Sequence, residues 1–120
     1  MAIIIKTSNP DQLYKGFTKA INDYSILTWI VDEDGDFTIK RESWRNHAWM
    51  RYYKINSESI AFGIVESRRY PLAKDLYGIM HGRLVATLLT HFDDIINDIE
   101  VTSQLDIRYD VFKPIATSEV

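Results

Sequence analysis

Four successive segments, 26–31, 37–41, 48–55 and 60–66, alternate apolar and polar residues with a period of two and have no helical pattern between them. Side chains on a strand point to opposite faces in turn, so this run commits the middle of the chain to a half-buried sheet. The breaks between the segments are short. "DEDGD" joins the first two and "NSES" the last two, which makes each pair an antiparallel hairpin.

Register in the first hairpin follows from the apolar pattern. A two-residue Asp34-Gly35 loop would set Val31 opposite Thr38. A three-residue loop, Glu33-Asp34-Gly35, sets Val31 opposite Phe37 and Trp29 opposite Ile39. It gathers Leu27, Trp29, Val31, Phe37 and Ile39 on one face. It also places glycine at the left-handed position such a loop requires. Asp32 and Asp36 then face each other, at a modest electrostatic cost. A calcium loop of the EF-hand kind is excluded by spacing, because the glycine position holds Phe37 and the final acid position holds Ser43. A solvated acidic turn is the expectation.

In the second hairpin, Trp49, Arg51, Tyr53 and Ile55 share one face and Met50, Tyr52 and Lys54 the other, while Ile60, Phe62 and Ile64 align on a single face. Gly63 falls on the opposite face, where it marks a bulge or a close neighbour.

Helical patterns flank the sheet region. "AIIIKT" reads as a buried first strand. Asn9 then caps a helix over 10–24, with Pro10 at the first position and Leu13, Phe17, Ile21 and Tyr24 on one stripe. A second helix is expected over about 74–97, where Leu84, Val85, Leu88, Leu89, Phe92, Ile95, Ile96 and Ile99 fall in one arc. Gly78, Gly82, Ala86 and Thr90 form a small-residue row on it. Each helical glycine costs roughly 1 kcal/mol against alanine, so the row implies close packing, on the sheet or the other helix before a dimer seam. After the helix "IEVTSQLDIRYDVF" alternates again, with Leu105, Ile107, Tyr109 and Val111 on one side, as one or two edge strands. The expected fold is α+β: a two-layer, mostly antiparallel sheet of five or six strands with two helices on one face, ordered β-α-β-β-β-β-α-β. It forms a single domain over 1–112, followed by a loose tail over 113–120.

Composition excludes several chemistries. There is no cysteine, hence no disulfide frame and no thiolate ligand or nucleophile. No P-loop, dinucleotide fingerprint, H-E-x-x-H or G-x-S-x-G occurs, so no cofactor is expected and no catalytic residue is nominated. No signal-peptide pattern or membrane-length apolar run occurs, and the cytoplasm is the expected location. His81 falls inside the apolar arc, as a core histidine or the wall of a pocket. His91 and Asp94 share one face but supply only half of a metal site.

Charge is unevenly distributed. Residues 40–74 carry a net +5 and the remainder −8, within a total of −3. The basic middle is also rich in aromatic residues, and this nominates Trp44, Arg45, Trp49, Arg51, Tyr53, Arg68 and Arg69 as binding residues on one outward patch, with His81 as a separate binding candidate in a pocket. Tryptophan, tyrosine and arginine are enriched at protein interfaces. The leading expectation is a non-enzymatic adaptor, chaperone-like or regulatory domain with a protein partner, acting as a homodimer. One alternative is a ligand or enzymatic pocket where His81 meets Arg51, Tyr53 or Arg69. Another is anion or nucleic-acid binding on the basic hairpin, although a pI near 5.5 argues against general nucleic-acid affinity.

Overall fold

A computed structural model describes residues 2–111. The tail expected over 113–120 lies outside the described residues. The chain forms β1 (Ile3–Lys6), α1 (Pro10–Asn22), β2 (Trp29–Val31), β3 (Phe37–Ile39), β4 (Ala48–Asn56), β5 (Ser59–Glu66), α2 (Lys74–Phe92), a 3-10 turn (Asp93–Ile95) and β6 (Asp98–Val101). The six strands make one sheet in the order β2-β3-β4-β5-β1-β6, with every neighbouring pair antiparallel. This is the α+β architecture expected, in the expected element order.

Both helices cover the same face. Leu13, Phe17 and Ile21 of α1 and Leu76, Met80, Leu84 and Leu88 of α2 share one core with Ile3, Ile5, Trp29, Phe37, Ile39, Met50, Ile60, Phe62 and Ile64. The Trp29 indole N–H donates to Thr87 Oγ1 at 3.2 Å, so the largest buried ring is hydrogen-bonded to α2. The Asn9 side chain accepts from the Gln12 N–H at 3.2 Å and caps α1.

The first hairpin has the longer-loop register, with Val31 opposite Phe37 and Trp29 opposite Ile39. Gly35 takes φ +84°, the left-handed position of that loop. Leu27 does not join the apolar face: β2 starts at Trp29 and Leu27 is 64% exposed. Helix α1 ends at Asn22, and Tyr24 leaves the stripe as an exposed residue with φ +65°.

Helix α2 ends at Phe92 rather than 97, because the chain must turn to bring 98–101 alongside β1. One edge strand forms in the segment expected to hold one or two, β6 at the edge beside β1, but the alternation over 105–111 forms no second strand. Residues 106–110 form a tight turn in which the Tyr109 and Asp110 N–H groups donate to the Asp106 carbonyl. The Asp110 carboxylate, buried, accepts from the Asp106 and Ile64 N–H groups at 2.8 Å each and ties the turn to β5. Leu105 and Ile107 are exposed, and Val111 forms a parallel bridge to Val65. Alternation persisted there without a partner strand to pair with.

The small-residue row of α2 is corrected too. Gly78, Gly82, Ala86 and Thr90 are all exposed, and a Cβ built at either glycine meets no atom within 4 Å. Close packing on the sheet or on α1 is therefore not their reason.

Candidate functional site

The helices leave the second face of the sheet open, and β4 supplies its central side chains. Met50 sits in the core, Tyr52 stacks on Tyr14 of α1 and Lys54 pairs with Asp11 of α1, so even positions of β4 face the helices. Trp49, Arg51 and Tyr53 consequently face outward, opposite Val65, Gly63 and Ala61 of β5.

The turn over 106–110 covers one end of this open face. At Gly63 a Cβ would lie 1.9 Å from the Tyr109 carbonyl oxygen, so only glycine admits this crossing. Tyr53 packs against Tyr109 with ring centroids 5.4 Å apart. Asp106 is held bidentately by Arg108 at 3.0 and 2.7 Å, and those hydrogen bonds keep its carboxyl below the usual carboxylate range.

Beside the turn lies an open cleft of about 630 Å³. Trp49, Arg51 and Val65 line its sheet side. The acidic hairpin loop contributes Asp32, Asp34 and Asp36, and the end of β5 contributes Glu66, Ser67, Arg68 and Arg69. The acidic turn differs from the solvated one expected. Asp36 is buried and receives Arg51 Nε at 3.0 Å and Nη2 at 2.9 Å. Those hydrogen bonds raise the Arg51 pKa against the opposing effect of burial. The Asp32 carboxylate accepts from the Asp34 and Asp36 N–H groups, both at 2.9 Å. The facing aspartates are thus partnered separately, one by backbone and one by a guanidinium.

Cations and anions are therefore both present at the cleft, around an indole. Trp49 Nε1 is shielded from solvent and has no hydrogen-bond partner. Arg69 lies over the Tyr70 ring at 5.5 Å, and His47 stacks on the same ring at 4.0 Å.

The binding residues read from sequence fall into three groups. Trp49, Arg51, Arg68 and Arg69 come together in the cleft, with Tyr53 next to them under the turn. Trp44 and Arg45 lie elsewhere: Trp44 carries Arg41 at 4.8 Å and Arg83 of α2 at 5.9 Å, and Arg45 donates to the Lys40 carbonyl. His81 is buried on α2, with Nδ1 2.8 Å from the Tyr77 carbonyl oxygen. It does not line the cleft that contains Arg51 and Arg69, which faces away from the helices, so the pocket expected between them does not form.

Sequence reasoning missed Asp36 as a site residue. Its signal was present as an acid on the outward face of β3's entry, one position before the core residue Phe37, but its partner is fifteen residues away and on another strand. Among the described residues no group of three or more His, Asp or Glu side chains is placed to hold a metal ion, and no helix is long and apolar enough to cross a membrane. Comparison of the chain with protein-family models, with curated proteins and with solved structures finds no match.

Proposed function

We propose that the open-face cleft docks a segment of a partner protein, and that the chain is a non-enzymatic adaptor or chaperone-like module of the cytoplasm. One observation carries this reading: Asp32 and Asp34 stand at the same cleft as Arg68 and Arg69, with Trp49 between β3's loop and the end of β5. A surface of both signs repels a polyanion with one wall while attracting it with the other. A polypeptide segment can present both charges and an apolar side chain to the indole, the chemistry of an interface centre. The homodimer belongs to the same proposal. The exposed Gly78–Gly82–Ala86–Thr90 row, next to the half-exposed Leu89, is a surface on which a second α2 could approach closely.

The cleft is tested by placing a photo-crosslinking residue at Arg69 and irradiating cells that make the protein. A discrete adduct with another polypeptide, lost when Trp49→Ala is added, is the expected result. Equal adducts from a control position on the helix face, such as Lys15, contradict it.

A further inference from the structure

A second cationic site lies away from the cleft, at the junction of β3, its following loop and α2. Lys40, Arg41, Arg45 and Arg83 line a hollow of about 380 Å³ together with Leu27, Thr28 and Ile39. No carboxylate lines it, although Glu42 is exposed in the same loop. Three cations elsewhere are paired: Arg51 with Asp36, Lys54 with Asp11 and Arg108 with Asp106. Among the described residues none of these four forms an ion pair.

The cations are held in place as well as gathered. Arg45 directs Nε and Nη2 to the Lys40 carbonyl at 3.0 and 2.6 Å, which fixes its plane and leaves three N–H groups to donate. Arg41 and Arg83, from the loop and from α2, rest on the same Trp44 ring. Grouping four like charges without a counter-charge is unfavourable, and a multiply charged oxyanion relieves it. Guanidinium groups match phosphate oxygens bidentately. Leu27, 64% exposed at the rim, offers an apolar contact beside them.

We infer that this hollow is a binding site for the diphosphate group of a small molecule, held by Arg41, Arg45, Arg83 and Lys40, with Trp44 backing the Arg41 and Arg83 guanidiniums. The inference is independent of the open-face cleft, which uses other arginines.

Inorganic pyrophosphate, titrated into the full chain at low ionic strength, tests it. The arginine Nε–Hε resonances of Arg41, Arg45 and Arg83 should shift on binding, and that of Arg51 should not. Arg41→Gln combined with Arg83→Gln should weaken binding by about tenfold or more while leaving the far-UV spectrum unchanged. A parallel titration with adenosine diphosphate separates sources of the group: tighter binding than pyrophosphate, reduced by Leu27→Ser, assigns a ligand with an organic moiety, and equal binding assigns free diphosphate. Absence of saturable binding, shifts confined to Arg68 and Arg69, or undiminished affinity in the double variant overturns the site.

Discussion

Asp36 and Arg51 show how one pair changes the meaning of a local sequence. Four carboxylates within five residues look like a solvated, self-repelling loop, yet one of them is the buried anchor of an outward arginine. The Asp36 side chain is 8% exposed and that of Arg51 40%. Arg51→Ala strands a desolvated carboxylate and should destabilise the chain by about 1–3 kcal/mol, read as a lower urea midpoint. Arg51→Lys keeps the charge but not the fork, and should recover only part of the loss. Tyr77 gives the opposite case. Its hydroxyl is buried without a hydrogen-bond partner, and burial, with the negative charge of Asp110, pushes its pKa up to about 12. The folded chain keeps this proton after the unfolded chain, titrating at about 10, has released it. That contribution is complete below pH about 10 and is lost as pH rises through about 12. Tyr77→Phe should therefore flatten the alkaline fall in stability and, at neutral pH, should be neutral or stabilising by about 1 kcal/mol. A variant that melts earlier than the parent at pH 7 would contradict this.

Elements were legible where their residues bury one face. The hairpin register and the Ile60–Phe62–Ile64 face followed from periodicity, because a one-residue slip would have exposed each apolar set, and the Asn9 cap followed from an amide side chain placed just before Pro10. Residues 105–111 alternate equally well but lack a partner strand, and the Asp110 carboxylate, from 46 residues away, takes the β5 N–H that a strand would have taken. No local pattern contains that information. Gly63→Ala should expel the turn from β5, since the added carbon meets backbone rather than a flexible side chain. A loss of about 2 kcal/mol or more, with faster hydrogen exchange at Ile64 and Glu66, is expected. On α2 the outcome reverses. Gly78→Ala and Gly82→Ala add a methyl group into open space, and each should raise stability by up to about 1 kcal/mol. Sedimentation of the Gly82→Leu variant tests the proposed dimer: a dimeric parent and a monomeric variant support a seam on this row, and a monomeric parent or an unchanged dimer contradicts it.

At the scale of the molecule, the two helices cover one face of a six-stranded sheet and, among the described residues, leave the other to β4 and the docked turn over 106–110. The sequence concentrated its cations in residues 40–74, and a single patch was the natural reading. Strand alternation and the β3–β4 connection divided them instead. Arg51, Arg68 and Arg69 reach the open-face cleft, Arg41 and Arg45 join Arg83 at the far junction, and Lys54 turns to α1. Four of the eight nominated residues thus share one site. Of the other four, Tyr53 lies beside it under the turn, His81 came from the apolar arc of α2, and Trp44 and Arg45 were nominated by proximity in sequence, which does not encode which face or which end of a strand a side chain reaches.

The proposal that the open-face cleft docks a protein segment is tested most directly by calorimetry with the polypeptide recovered from Arg69 crosslinking. Trp49→Ala should weaken its binding by about tenfold or more, and Arg83→Gln, at the other cationic site, should leave it unchanged. Equal affinity of the parent and a folded Trp49→Ala variant would contradict the account.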